Sequence, residues 1–107
     1  MATTRTVTGT VLKPDGTVYT NWAVMFTLLS EIISDGDVIP KNSVEITTDS
    51  NGDFSTTLAV PDSGTAYYRL GFQTGYSYDF NLAGGSSIGL NEIISIATVA
   101  SDPNYIT

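Results

Sequence analysis

The chain contains no cysteine and no histidine among its 107 residues. Without cysteine it can form neither a disulfide framework nor a thiolate metal site. Without histidine it can form neither a serine–histidine nucleophilic centre nor an imidazole metal site. A phosphate-binding glycine loop is also missing, because Gly84 and Gly85 lack the lysine and helix context of such loops. The carboxylates lie at predicted turns and on solvent-exposed strand faces, where neither burial nor a partner would shift their pKa. We therefore expect a protein that is not an enzyme.

Basic residues are scarce as well. Four Lys and Arg residues stand against eleven Asp and Glu residues, which gives a net charge of -7. Affinity for nucleic acid comes largely from neutralising phosphates with basic side chains, and anionic membranes attract the same side chains. We therefore expect no binding to nucleic acid or to membranes.

Long hydrophobic runs are absent from the sequence. The longest nearly apolar run, residues 22–29, has eight residues, whereas a membrane-spanning helix needs about 20. The N-terminus has one positive charge without an apolar run behind it, so it does not resemble a secretory signal peptide. We expect a chain that is made in the cytoplasm and leaves it only by assembly or lysis.

The stretch that organises the sequence is residues 44–60, which reads as one β-hairpin with a polar tip. Residues Val44 and Ile46 share one side, and the predicted matching side across the turn has four members, Phe54, Thr56, Leu58 and Val60. Residues 49–53, DSNGD, contain the Asn-Gly pair that favours a tight turn.

Two-residue alternation recurs in other parts of the chain, with turn signals such as residues 13–16 and 74–75 between them. The alternating segments are residues 3–12, 22–30, 66–73 and 76–82. The last two form a second, aromatic hairpin. In residues 22–30 both faces are largely apolar, so we place this strand centrally, with cover on both sides.

The remaining segments are less regular. We interpret residues 31–43 as an extended connection that crosses from one sheet to the other. Leu90, Ile93, Ile94 and Ala97 fit a short amphipathic helix with a cap at Ser86 or Ser87, although residues 93–99 also suit a strand. The tail, residues 101–107, is expected to be irregular.

Together these segments predict one domain over residues 1–107. The expected fold is an all-β, antiparallel β-sandwich of transthyretin-like or immunoglobulin-like type, with about seven strands and at most one short C-terminal helix.

The order of the segments resembles the carboxypeptidase-regulatory-like or transthyretin-like β-sandwich domains. The resemblance rests on residues 7–11, 14–17 (PDGT), 26–28 and 47–55 (TTDSNGDFS). Residues 67–70, 78–82 and 88–90 look like the versions found in small virion proteins or fibre-associated domains of tailed bacteriophages. The resemblance covers roughly residues 6–103 and implies a non-catalytic module for scaffolding or adhesion.

Asp49, Asn51 and Asp53 are the candidate metal ligands. Three oxygen-bearing side chains at alternate positions begin many calcium loops. However, Gly52 comes two positions too early for an EF-hand, and no glutamate closes the site at the twelfth position. The simpler interpretation is a turn that uses these residues for backbone reasons. We therefore expect no cofactor, with calcium at this turn as the alternative.

The candidate interface residues are aromatic: Trp22, Tyr67, Tyr76 and Tyr78. Tyrosines on one hairpin can stack on sugars or fill a protein interface. We expect Tyr68 and Tyr78 to pack in the core with their hydroxyls at its rim. Tyr67 has the opposite parity and is expected in an interface, whereas Trp22 suits the core better than a contact because it is in phase with Val24.

The expected function is that of a structural virion protein of a tailed bacteriophage, present in many copies as a capsid decoration protein. Its partners are then other virion proteins, and unpaired sheet edges favour a homo-oligomer. The alternatives are a tail or fibre-associated adhesion component and a carbohydrate-binding module that uses the hairpin from Tyr67 to Tyr78.

Overall fold

A computed structural model describes residues 3–101 of the chain. Within this range the chain forms ten β-strands and one short α-helix. The strands are β1 (Thr4–Thr10), β2 (Ala23–Leu28), β3 (Ile32–Ser34), β4 (Asp37–Ile39), β5 (Ser43–Thr47), β6 (Asp53–Ala59), β7 (Thr65–Phe72), β8 (Ser77–Ala83), β9 (Ser87–Gly89) and β10 (Thr98–Ser101), and the helix is α1 (Leu90–Ile96). The excess over the expected seven strands comes from β3, β4 and β9, which are too short to show alternation.

Two sheets enclose the hydrophobic core. One has the strand order β6-β1-β9 and the other the order β10-β8-β7-β2-β5. Neighbouring strands are antiparallel, except that β9 runs parallel to β1. The rings of Phe26 in β2 and Phe54 in β6 lie 6.3 Å apart and join the two inner faces. The predicted all-β sandwich is therefore confirmed.

The inner faces carry the residues that alternation placed there. These buried residues are Val7, Val24, Phe26, Leu28, Phe54, Leu58, Val60, Tyr68, Leu70, Phe80 and Leu82. Strand β2 lies inside its sheet between β5 and β7. The cover predicted on both of its faces is only partly present, because Met25 on the outer face is 38% exposed.

The predicted hairpin over residues 44–60 is wrong in its pairing. Strand β5 pairs with β2 in the five-stranded sheet, whereas β6 pairs with β1 in the three-stranded sheet. The inward residues of β5 and β6 therefore face one another across the core instead of along one sheet. The segment between these strands is an arch that joins the two sheets.

The turn within that segment is confirmed. The backbone N–H of Gly52 donates to Asp49 O at 3.1 Å, and Gly52 has a φ of 79°. A Cβ at Gly52 would lie 2.9 Å from Val11 O and 3.0 Å from the Cβ of Val18. Glycine is thus required here both for the backbone conformation and for the close approach of the chain.

The prediction that residues 31–43 cross from one sheet to the other is wrong. This connection links β2 to β5, which are neighbours in one sheet. Strands β3 and β4 form a separate two-stranded ribbon within it, closed by a turn in which Asp35 and Gly36 have φ values of 50° and 80°. Val38 and Ile39 form most of β4.

The predicted helix is present as α1, and it packs on the core through Leu90 and Ile93. The predicted serine cap is wrong, since Gly89 occupies the N-cap and no side chain caps the helix. The strand alternative for residues 93–99 applies only to their end, where β10 begins at Thr98. Ser101, expected in an irregular tail, ends β10, and residues 102–107 lie outside the described part of the chain.

Candidate protein-interaction surface

The turn over residues 49–53 satisfies its own polar groups. Asp49 Oδ1 accepts hydrogen bonds from the backbone N–H of Asn51 at 2.8 Å and of Asp53 at 3.0 Å. The carboxylate of Asp53 accepts a hydrogen bond from the Thr10 hydroxyl. Short-range bonds of this kind are the usual reason for Asp and Asn in turns.

Metal ligands were predicted at this turn as an alternative. Across residues 3–101, no group of three or more acidic side chains is arranged to hold a metal ion. The hydrogen bonds of Asp49 and Asp53 give both side chains a role in the arch that links the sheets. The geometry therefore supports the backbone interpretation of the motif.

The tyrosines of the β7–β8 hairpin lie on opposite faces of their sheet. Tyr68 is 4% exposed, and its hydroxyl donates to Ala59 O at 2.7 Å. Tyr78 is half-buried on the same inner face and packs edge-on against Phe72. Tyr67 lies on the outer face and is 41% exposed. These tyrosines do not form one continuous stacking platform.

Trp22 belongs to a row of rings at one end of the inner face. Its ring stacks on Tyr19 at 4.3 Å and lies 5.5 Å from Phe72, which in turn contacts Tyr78. Trp22 is partly buried and packs against the core, in agreement with the preferred interpretation. Tyr76, the remaining candidate interface residue, is half-buried beyond the β7–β8 turn.

The exposed side of Tyr67 is part of a charged network. Asp79 receives two hydrogen bonds from Arg69, at 2.7 and 3.1 Å, and one from the Tyr67 hydroxyl at 3.2 Å. The hydrogen bonds from Arg69 lower the pKa of Asp79. The pKa of Tyr67 is raised, first by desolvation and then by the Asp79 carboxylate. This network fixes the Tyr67 ring on the outer face.

Beside this network the outer face of the five-stranded sheet has a shallow depression of about 230 Å³. Its floor is largely apolar, because Gly71 has no side chain and Ala23 and Met25 lie next to it. Glu45 is the one carboxylate in the lining, and it is exposed. An exposed single carboxylate does not provide the pair of groups that acid–base catalysis normally requires.

The β3–β4 ribbon presents an apolar pair to solvent that the sequence interpretation missed. Ile33 and Val38 lie directly opposite each other in the ribbon. They are 60% and 69% exposed, the second being the most exposed large hydrophobic residue of the described chain. On the other face of the ribbon Ile32 is buried and Ile39 is half-buried against the core. The ribbon is apolar on both faces.

The ribbon is held firmly to the sandwich. Ser34 is fully buried, and its hydroxyl oxygen accepts the Thr3 N–H at 2.8 Å. Asp62 accepts the Asp35 N–H at 2.7 Å, and its own N–H donates to Ile33 O at 3.3 Å. An anchored apolar pair loses little conformational freedom on binding, which favours its use in a contact.

Acidic residues surround the apolar pair. Glu31, Asp35 and Asp37 lie in or beside the ribbon and are exposed, and Lys41 is the basic residue of the same connection. Asp62 is also close, through its bonds to the ribbon. A matching partner surface would be an apolar pocket with basic residues around it, because complementary charges favour correct docking.

One sequence signal could have identified this surface. Two pairs of adjacent aliphatic residues, 32–33 and 38–39, flank Asp35-Gly36-Asp37. A short hairpin with such pairs must place an aliphatic residue on each face. Only one face can pack on the sandwich.

Comparison with known proteins gives no identification. No protein-family model matches the sequence, and none of the curated proteins searched is significantly similar to it. Within residues 3–101, the structure has no helix of sufficient length and hydrophobicity to cross a membrane. The resemblance to transthyretin-like domains stays a prediction, while the β-sandwich itself is shown by the strand order of the two sheets.

Proposed function

We propose that this chain is a non-catalytic structural protein of a tailed-bacteriophage virion, and that it acts as a multi-copy capsid decoration protein. In this role it is made in the host cytoplasm, becomes part of the virion and binds other virion proteins. The observation that carries the proposal is the anchored, exposed pair of Ile33 and Val38 in the β3–β4 ribbon. The sequence resemblance supplies the virion context.

The energetics favour a contact at this pair. Full burial of an aliphatic side chain of this size contributes about 1.5–3 kcal/mol. Ile33 and Val38 are largely exposed in the isolated chain. Most of this free energy is therefore gained only when a partner covers them. The hydrogen bonds through Ser34 and Asp62 fix the ribbon before binding, so that little of the gain is lost to ordering.

The same surface would also serve a tail or fibre-associated component, since the contact chemistry is identical. The carbohydrate-binding alternative has less support from the geometry, because Tyr67 and Tyr78 lie on opposite faces of the sheet. Sugar stacking would have to rely on the ring of Tyr67 and its neighbours alone.

The test is co-sedimentation of the purified chain with phage particles assembled without it. A double variant, Ile33→Thr with Val38→Thr, keeps β-branched side chains in the ribbon and removes most of the apolar contact. We expect its affinity for the particles to fall by at least about tenfold. Ile96→Thr with Val99→Thr is the matched control, because these residues are 58% and 62% exposed.

The control variant should bind as the unmodified chain does. If the unmodified chain fails to bind the particles, the virion role is wrong. If both double variants bind equally well, the β3–β4 ribbon is not the contact surface.

A further inference from the structure

One edge of strand β6 pairs with no other strand of the described chain. The strand lies at the outside of the three-stranded sheet, and its seven residues keep an uninterrupted antiparallel register with β1. It contains no proline, no lysine and no bulge, the devices that proteins use to protect an edge from pairing. We propose that β6 pairs with β6 of a second copy of this chain and joins two three-stranded sheets into one of six strands.

The register shows which backbone groups are available. Val60 N–H donates to Thr3 O, and Val11 N–H donates to Gly52 O, so the even-numbered residues of this segment bond to β1. In an antiparallel strand the N–H and C=O of the alternate residues point the other way. Ser55 and Thr57 therefore direct their backbone groups to the free edge, and both are exposed.

Bonds at the two ends agree with this alternation. Asp53 uses its outward N–H and C=O in the turn with Asp49. Ala59 uses its outward carbonyl to accept the Tyr68 hydroxyl. Across residues 3–101, no hydrogen bond is found for the outward backbone groups of Ser55 and Thr57.

The sequence of β6 is complementary to itself. In a two-fold antiparallel pair centred on Thr56, Ser55 lies opposite the second copy's Thr57, and Asp53 lies opposite its Ala59. Ser55 and Thr57, whose outward backbone groups are unpaired, thus lie opposite each other, and the two Ser55–Thr57 rows provide the hydrogen bonds of the contact. The two Asp53 carboxylates stand about 20 Å apart, at roughly 3.3 Å per residue, which is well beyond the screening length of about 8 Å at physiological ionic strength.

The other edges are less suitable for a second copy. Strand β5 would place Glu45 opposite Glu45 in the corresponding two-fold pair, and like charges directly opposite are destabilising. Strand β9 has three residues and leads straight into α1. Strand β10 has four residues and an irregular register with β8. Among the edges of the described chain, β6 is long, regular and free of repulsion.

Pairing at β6 would also cover apolar surface. A cleft of about 150 Å³ opens between the β6 and β5 edges, and Thr57, Leu58 and Val44 are among its lining residues. Val44 is 43% exposed there. A strand added to β6 lies over this side of the sandwich and shields it from water. The pairing does not depend on the virion role, and the two can fail separately.

The test is hydrogen exchange of the full chain by NMR across a dilution series, with the mass measured by sedimentation at each concentration. At concentrations where the mass is that of a dimer, the amides of Ser55 and Thr57 should exchange at least about tenfold more slowly than in the monomer. The amide of Glu45, on the free edge of β5, should exchange equally fast in both. A dimer whose Ser55 and Thr57 amides stay fast, or a chain that is monomeric throughout, overturns the proposal.

A variant provides an independent check. Thr57→Pro removes an outward N–H and leaves the bonds between β6 and β1 in place, and proline is tolerated at edge positions. We expect loss of the dimer with the monomer still folded. Thr47→Pro, at the corresponding free edge of β5, should leave the dimer mass unchanged. Dimerisation of folded Thr57→Pro to the same extent as the unmodified chain would refute pairing at β6. Should either variant fail to fold, the exchange measurement on the unmodified chain is the deciding test.

Discussion

Gly9 in β1 and Leu90 in α1 approach so closely that a Cβ on Gly9 would lie 2.5 Å from the Cβ of Leu90. The same atom would lie 3.0 Å from the ring of Phe54. Leu90 and Phe54 are both buried, so neither can move into solvent. The absence of a side chain at Gly9 is what allows α1 to close this end of the core.

Replacement of Gly9 by alanine should therefore be destabilising. Overpacking of a close contact costs about 1–3 kcal/mol, and we expect a loss of this size in the free energy of unfolding measured in urea. Gly84→Ala is the control, because nothing lies within 4 Å of a Cβ there. Equal stability of the two variants would show that α1 is not packed on β1 as described.

Thr48 is a second position where a single side chain holds the fold together. It is 1% exposed, its hydroxyl accepts the Trp22 N–H at 2.9 Å, and it donates to Tyr19 O. Thr48→Val keeps the shape and leaves both backbone groups without this partner, so we expect a loss of about 1–3 kcal/mol in unfolding free energy. The exposed neighbour Thr47→Val should change stability by less than about 0.5 kcal/mol.

Much of the fold could be predicted from alternation alone. Parity placed Val7, Phe26 and Leu58 inside, and it separated Tyr67 from Tyr68. Strand pairing was harder to predict from the sequence. Two strands that flank a turn show the same alternation whether they share a sheet or face each other across the core. The arch at residues 49–53 was therefore mistaken for a hairpin, although its hydrogen bonds are local and its turn was correctly predicted.

The exposed apolar pair of the β3–β4 ribbon was harder to predict. Exposure of Ile33 and Val38 depends on which face of the ribbon packs on the sandwich, and that is set by distant partners such as Thr3 and Asp62. No local period in residues 31–43 contains this information. The tyrosines attracted attention because they are conspicuous in sequence, yet burial of Tyr68 and partial burial of Tyr78 remove most of them from the surface.

Tyr68 gives the fold an alkaline limit. Burial raises the pKa of its hydroxyl to about 12, above the ordinary value of 10.0. As pH rises from 10 to about 12, the unfolded chain loses this proton while the folded chain keeps it, so stability falls across that window. Tyr68→Phe removes the hydrogen bond to Ala59 and should lower the free energy of unfolding by about 0.5–1.5 kcal/mol at neutral pH. Its stability should then fall less between pH 10 and 12 than that of the unmodified chain, in unfolding curves recorded at each pH.

Asp79 gives the fold a weaker acid dependence. Its pKa is below the ordinary value of 3.8, chiefly through the Arg69 hydrogen bonds. The pair therefore stabilises the fold above about pH 4, and this contribution is lost as pH falls through the lower pKa of the folded state. Since Arg69 is 45% exposed, Asp79→Asn should cost no more than about 1 kcal/mol at neutral pH. The difference from the unmodified chain should shrink below pH 4 and in high salt, as judged by unfolding midpoints.

The most direct test of the proposed role is electron cryo-microscopy of phage particles that lack the chain and are then mixed with it. We predict density for a β-sandwich in many copies on the capsid, with the β3–β4 ribbon directed at the shell and Ile33 and Val38 buried in the contact. Particles without added density, or copies whose ribbon faces solvent, would contradict a structural role carried by this surface.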